Sequence, residues 1–576
     1  MTANVINFVV HFLSLSWLTG PIFDKELRVS SRRRRNYVLR FAYLALLTAF
    51  LVLVWVQEVQ YSGSSVYLIS RMARAGQTII MFIVWFQFCA TQVIAVVMLS
   101  TSISDEIYNR TLGLLMTTPI NSFQIVMGKL FSKLLQLILL LAISMPLLAI
   151  VRVFGGVPWD YIISSLCITL TAVIFVGSVS LFFSIFNRRA YVVIIVTVLA
   201  LSILFGLLLF VGMTIFGSFS WGRQASIPTT ALIYLNPFMF LALSTDIMAN
   251  PGLAGRVSFS WPVHCGVMLA ASGAVLFACV GLVRKVALAQ AAGYPNFLAR
   301  LWRLRAADSV TDSVPYKPSG RIRRVKGPPV MWRELISRPS SRERLFVRTI
   351  IAIELIMIVA MYLFPIVAEI AGLEETHAVY IGVFMGLGVL SVTIFPATCI
   401  TSEKEARSWP LLLTTTLSGW QILLGKFVGV LRRSLPIWAL LFIYLIPFWG
   451  IGSLAFFQIA ILVVGTSVFL CGTGFFFSSR FRRTSSAVAT NFALAISVWG
   501  ILPILTVLFA ELLQPRSRRG LIDQCLNVIP FFLAMQVMWP DYDLDFSKST
   551  KFVLAYILFG VLFAWIAKRR FRRNIF

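Results

Sequence analysis

Twelve windows of roughly 20 mostly apolar residues run along the chain, at 37–56, 77–100, 129–154, 161–186, 190–216, 261–283, 346–369, 378–400, 426–450, 454–479, 486–511 and 550–567. Each predicts a membrane-spanning helix, because a helix satisfies its own backbone hydrogen bonds where lipid offers none. The expected fold is an all-α polytopic membrane protein. No soluble domain is expected: the longest stretch without a window, about Arg284 to Arg348, is rich in Arg, Pro and Ser and cannot build a packed core.

The second six windows repeat the spacing of the first six, and the repeat is visible residue by residue. Laying Thr101–Lys129 over Thr398–Lys426 at a constant offset of 297 makes twelve of 29 positions identical without a gap. Most matches are not generic lipid-facing residues. They include Glu106/Glu403, Arg110/Arg407, Thr117/Thr414, Thr118/Thr415, Gln124/Gln421, Gly128/Gly425 and Lys129/Lys426. Lys25-Glu26-Leu27 and Arg333-Glu334-Leu335 precede each first window, and Arg188-Arg189 and Arg482-Arg483 separate each fourth from each fifth. Six windows per half is an even number, so the expected architecture is two parallel six-helix repeats related by a pseudo-two-fold along the membrane normal. The domain organisation predicted is an interfacial amphipathic helix in 1–36, a first six-helix half in 37–283 and a basic linker with a second amphipathic helix in 284–345. A second six-helix half in 346–567 and a basic tail in 568–576 complete it.

Composition adds one correction. Fifty Lys+Arg against 22 Asp+Glu give a formal charge of +28, which in a soluble chain would suggest nucleic acid. With the N-terminus inside, twelve spans place forty Lys/Arg on the cytoplasmic side and ten outside, the bias expected of inserted helices. Nucleic acid is not an expected partner; anionic lipid headgroups are, at Arg32 to Arg35, 321–326 and 568–573. Both termini are expected in the cytoplasm of a multi-pass protein of the cell (cytoplasmic or inner) membrane. No basic residue precedes Lys25, so the start does not read as a secretory signal.

The duplicated loop carries the candidate chemistry. Glu106 and Arg110 are four apart, a spacing that pairs opposite charges on one helical face for about 0.2–0.5 kcal/mol, and the pair recurs as Glu403 and Arg407. Thr118 before Pro119 predicts an N-cap and a new helix. The second copy substitutes a capping-box pattern at Ser418 and Gln421. Each loop then reads as helix, break, helix: a short amphipathic element hung on a span. Merely anchoring spans at headgroup level is the plainer alternative.

These residues resemble the permeases of the ABC-2 type, exporters driven by a separate ATP-binding subunit. The resemblance rests on Glu403-Lys404-Glu405, Arg110-Thr111-Leu112, Leu411-Leu412-Leu413-Thr414-Thr415 and Gly425-Lys426, and it extends to the amphipathic helices around Lys25, Glu26, Arg333 and Glu334. It implies that each loop is a coupling helix seated on the ATPase, with Glu106, Arg110, Glu403 and Arg407 as contacts and Thr117, Thr118, Thr414 and Thr415 beside them. It also implies two copies of an ABC ATP-binding subunit that holds ATP and Mg. Re-entrant segments in about 217–261 and 512–551 are part of the same implication, as is an export substrate the sequence does not name.

No G-x-x-x-x-G-K-[ST] occurs; Gly419 to Lys426 is one residue too long and is followed by Phe427. ATP hydrolysis is therefore not expected of this chain. His11, His264 and His377 have no partner at metal or triad spacing. Glu354 is the clearest intramembrane acid and is expected to pair with Arg348 or with Arg432 and Arg433, as a structural ion pair. Cys265 and Cys525 admit a disulfide, though unpaired small fillers are the plainer expectation. A gradient-driven secondary transporter with parallel repeats, or a non-transporting scaffold that recruits a cytosolic complex, stays open beside the exporter. The scarcity of intramembrane carboxylates counts against the former.

Overall fold

The computed structural model describes residues 16–32, 34–59, 65–108, 111–112, 117–118, 120–153, 157–187, 190–208, 227–250, 252, 260–291, 327–336, 341–363, 374–446, 453–503, 528–536 and 546–570. Every regular element among them is a helix. The chain divides into two compact units, Met1–Pro315 and Tyr316–Phe576. Several expectations fall wholly or partly outside the described residues: His11, Arg110, Arg188-Arg189, the 321–326 run, the re-entrant segments, and Cys525 with its disulfide.

The first unit contains α1 (Ser16–Ser31), α2 (Arg34–Val59), α3 (Ser65–Tyr108), α4 (Ser122–Val153), α5 (Trp159–Phe186), α6 (Ala190–Leu201), α7 (Ile227–Leu235), α8 (Pro237–Ala249) and α9 (Trp261–Ala291). The second contains α10 (Pro329–Ile336), α11 (Ser341–Leu363), α12 (Glu374–Cys399), α13 (Thr401–Glu405), α14 (Trp409–Leu413), α15 (Gly419–Leu445), α16 (Ser453–Arg480), α17 (Thr484–Ile496), α18 (Pro530–Gln536) and α19 (Phe546–Arg570). Their packing follows one plan. In the first unit α5 lies between α3 and α9, with α1 along α4; in the second α16 lies between α12 and α19, with α10 along α15.

Eight helical stretches are long and apolar enough to cross a membrane: Gly76–Ile107, Ser122–Arg152, Trp159–Phe186, Trp261–Val286, Tyr380–Glu405, Gly419–Leu445, Phe456–Arg480 and Thr550–Arg570. Among the described residues these stretches account for eight of the twelve expected windows, and the first and fifth of each half are not among them. Arg40 falls in the first window of one half, and Arg348 and Glu354 in that of the other. The fifth run on into 209–226 and 504–527, outside the described residues, leaving the shorter apolar helices Val192–Gly206 and Ser486–Gly500.

Between helices in lipid, close backbone approach replaces the hydrophobic drive that packs soluble cores. Gly472 of α16 and Gly560 of α19 provide it. A Cβ on either would collide with the other helix's backbone. The fifth helix of each unit runs into a π-helical turn, Ser202–Leu207 after α6 and Ser497–Ile501 after α17. Each turn meets the short proline-started helix that follows it. Phe205 lies 6.0 Å from Phe238 of α8, and Trp499 lies 6.3 Å from Phe531 of α18, ring centre to ring centre. In the first unit Asn236 caps α8 and donates from Nδ2 to the Phe205 carbonyl at 2.5 Å.

Glu354 does not find the partners expected of it. It is fully buried in α11, and neither carboxylate oxygen has a hydrogen-bond partner among the described residues. Arg432 and Arg433 turn to Glu334 instead, and Arg348 is exposed.

Candidate functional site

In both units the duplicated loop begins with the same backbone construction. A serine from the fourth helix accepts two main-chain N–H groups at the loop end of the second. Ser184 Oγ accepts from Ile103 and Ser104 (3.1 and 2.8 Å), and Ser478 Oγ accepts from Ile400 and Thr401 (3.0 and 2.9 Å). The second helix is thereby pinned to the fourth two residues before its glutamate. Next, the glutamate carbonyl closes the element from five residues on: Thr111 N–H donates to Glu106 O and Ser408 N–H to Glu403 O, both at 3.0 Å. This is the bond of a helix ended by a left-handed residue, and Arg407 is that residue, at φ 56°.

That turn removes the expected i, i+4 pair. Arg407 stands beyond the end of α13 with an exposed side chain, while Glu403 faces inward to a lysine 23 residues later. Lys426 Nζ lies 2.6 Å from Glu403 Oε1 and 2.7 Å from Glu334 Oε1, with all three side chains under a tenth exposed. Arg433 bonds the other oxygen of Glu334 at 3.1 Å, and Arg333 reaches Glu403 at 3.5 Å. Gly425 and Gly429 make room on α15, where a Cβ would strike Val330 and Glu334 of α10.

The first unit repeats the node with looser geometry. Lys129 Nζ lies 2.5 Å from Glu106 Oε1 and 3.5 Å from Glu26 Oε1, and Lys133 holds the other oxygen of Glu26 at 3.4 Å. Burial alone would raise the Glu26 carboxyl, but Lys129 and Lys133 outweigh it and hold it below the ordinary value. Each node thus ties three elements to one ammonium: the amphipathic helix, the loop and the third helix. Lys25 is exposed beside its node, and Arg110 lies outside the described residues.

The second loop has extra fastenings where the aligned residues of the first are Ile107 and Tyr108. Lys404 Nζ donates to the carbonyls of Ser478, Ser479 and Phe481 at the end of α16. Glu405 accepts from the backbone and hydroxyl of Thr484, at 2.7 and 2.6 Å, and so caps α17.

Among the described residues, what remains on the surface of the loops is short and mostly uncharged. Thr117 and Thr118 are exposed, as are Arg407, Leu411, Thr414 and Thr415; Leu411, at 71 % exposure, is among the barest apolar side chains in the protein. Thr414 and Thr415 donate their hydroxyls to Leu411 and Leu412 carbonyls. The third helix then starts at one aligned position in both copies. The capping box at Ser418 and Gln421 is present, and Asn121, not Thr118, stands before α4, with Gln124 Oε1 accepting from its N–H at 3.2 Å. Thr118 does not cap the helix, which starts at Ser122; Ile120 N–H bonds Thr118 O in a further turn.

Other singled-out residues take structural positions. His264 Nδ1 contacts the Tyr234 carbonyl at 2.7 Å and its ring stacks on Phe240. His377 contacts the Tyr444 hydroxyl at 2.8 Å. No group of three His, Cys, Asp or Glu residues able to hold a metal occurs among the described residues.

Residues 21–294 match the family model described as ABC-2 family transporter protein. No curated protein matches the chain.

Proposed function

We propose, from the match of residues 21–294 to the family model described as ABC-2 family transporter protein, that the chain is a member of that family and the membrane component of an ATP-driven exporter. A family of this kind implies an ABC ATP-binding partner in general. The finer reading is that two copies of that subunit, holding ATP and Mg, seat on the loops at 104–118 and 401–415 and that these face the cytoplasm of a cell membrane. Few fixed charges in the apolar helices favour a hydrophobic or amphipathic cargo.

One observation carries the reading: each loop is rigid at its root and bare at its tip. The Glu–Lys–Glu nodes bind the root to two other helices, so a push on the tip moves the third helix and the amphipathic helix together. The tip offers Arg407, Leu411, Thr414 and Thr415, an apolar knob with hydroxyls and one cation, which suits a cleft in another protein. Glu106 and Glu403 serve this reading as supports of the loop rather than as its outer surface.

Co-purification of the chain with an ATP-binding subunit, followed by ATPase assay in lipid, tests it. Leu411→Glu with Arg407→Glu should abolish binding while the protein still inserts and elutes as the wild type does. Retention of the ATPase by that variant would remove the tip from the interface. Failure of any ATPase to bind the wild type would return the gradient-driven and scaffold readings.

A further inference from the structure

The ends of α16 and α19 on the loop side of the second unit form a cationic patch to which no carboxylate is paired among the described residues. The two helices run parallel and in register: Gly465 meets Val553, Gly472 meets Gly560, and Phe476 lies 5.4 Å from Phe563. Continued one turn, this register sets Arg480 beside Lys568. Arg480 and Arg482 are both exposed. Lys568 sits 5.0 Å over the Trp420 ring, Arg569 3.5 Å over Trp565 and Arg570 5.4 Å over Phe476. Among the described residues no carboxylate pairs with any of these five, and the nearby Glu405 is committed to Thr484. Arg482 stands close enough to Lys404 to repel it. Like charges gathered at one end of two packed helices attract an anion from outside the chain.

The apolar surface leading to the patch says what kind. Leu554, Leu558 and Leu562 of α19 are exposed by half or more of their area or close to it (58, 63 and 46 %), and with Trp565 they follow helical spacing to Arg569. An apolar stripe as long as one leaflet, ending in stacked cations at the depth of two tryptophans, has the shape of an acyl chain below a phosphate. A free phosphate would need only the cations.

We propose that this face binds an anionic phospholipid of the leaflet on the loop side, its phosphate held by Arg480, Arg482 and Lys568–Arg570 and one acyl chain lying along α19. Arg480 distinguishes the second unit; where α16 carries it, the aligned residue of α5 is Phe186. It does not depend on the ATPase partnership, and it places a fixed lipid beside the junction that Lys404 and Glu405 fasten to the second loop.

The full chain in nanodiscs of phosphatidylcholine, with and without phosphatidylglycerol, provides the test, read as lipid retained in native mass spectrometry and as shift of the unfolding midpoint. Phosphatidylglycerol should be retained by the wild type and raise its midpoint. Arg480→Gln with Arg482→Gln should weaken retention roughly thirtyfold, and Arg480→Lys with Arg482→Lys should restore most of it. Arg284→Gln with Lys285→Gln removes two exposed cations from the end of α9 and should change little. Equal losses in the two Gln pairs would reduce the effect to general attraction and overturn the site. Displacement by inorganic phosphate would overturn the lipid in favour of a free anion. Should the Arg480 and Arg482 variant fail to insert, Arg569→Gln at the head of the stripe must show the loss, and its failure to do so is equally fatal.

Discussion

Removing the ammonium of Lys426 should damage the protein more than removing that of Lys129, although the two residues are aligned. Lys426→Met leaves Glu334 with Arg433, but it leaves Glu403, 9 % exposed, with only Arg333 at 3.5 Å, itself 60 % exposed. A buried pair broken on one side costs about 3–5 kcal/mol, most of it the stranded charge. In the first node Glu106 and Glu26 keep 20 and 26 % of their side-chain surface, and Lys133 stays on Glu26. Lys129→Met should therefore cost only about 1–2 kcal/mol, because water can reach the carboxylates it leaves. The gap of about 2 kcal/mol is some thirtyfold in an opening equilibrium. It should appear as faster amide exchange at 401–408 in Lys426→Met than at 104–112 in Lys129→Met. Adding Glu403→Gln to Lys426→Met should recover most of the loss, since an amide in place of the carboxylate carries no stranded charge. If the two lysine variants lose equally, or if Glu403→Gln deepens the defect, the nodes are not ion-paired roots and the reasoning fails.

The serine pins should be as costly as the nodes. Ser478→Ala strands two buried N–H groups at about 1–3 kcal/mol each, so exchange at Ile400 and Thr401 should rise while Ser478→Thr, which keeps an acceptor, stays closer to the wild type. Arg407 holds a left-handed turn that favours glycine, so Arg407→Gly should leave the unfolding midpoint equal or higher and still weaken ATPase binding; a lowered midpoint would contradict the turn. Glu26 is more acidic folded than unfolded, so its contribution is complete above the ordinary carboxylate value of 4.5 and is lost as pH falls through the folded one. Glu26→Gln should then be less stable than the wild type near neutral pH, with the difference closing on acidification, and a pH-independent difference would refute the pairing.

The fold class and the loop repeat were legible because they are local or periodic. Apolar windows need only a run of side chains, and the offset of 297 needs only alignment. The nodes were half legible. Lys129/Lys426 and Glu106/Glu403 both stand among the repeated charges, but spacing alone favoured the nearer arginine, and nothing in a helical wheel announces that Arg407 occupies a left-handed turn. Closing the node also takes Glu26 or Glu334, from a helix nearly a hundred residues away, by which distance periodicity carries no information. Asn121 is hidden by Thr118-Pro119, a stronger local start signal, but a further turn at Ile120 moves the start to Ser122. Glu354 was assigned partners by depth alone, whereas Arg432 and Arg433 point toward the amphipathic helix. The π-helical turns lie within uniform apolar runs where no residue marks the extra one.

Those turns alter how the fifth helices must be numbered around their axes. An α-helix advances about 100° per residue, and a π-helical turn accommodates one residue more than the ladder expects. By Leu208 in one unit and Leu502 in the other, the side chains are therefore rotated by about that angle from where a continuous wheel drawn from Ala190 or Thr484 would put them. A cysteine scan over 190–208 or 484–503 should show the accessibility wave slip out of phase near Phe205 and Trp499. Substitutions chosen on a single wheel would land a quarter turn from the intended face.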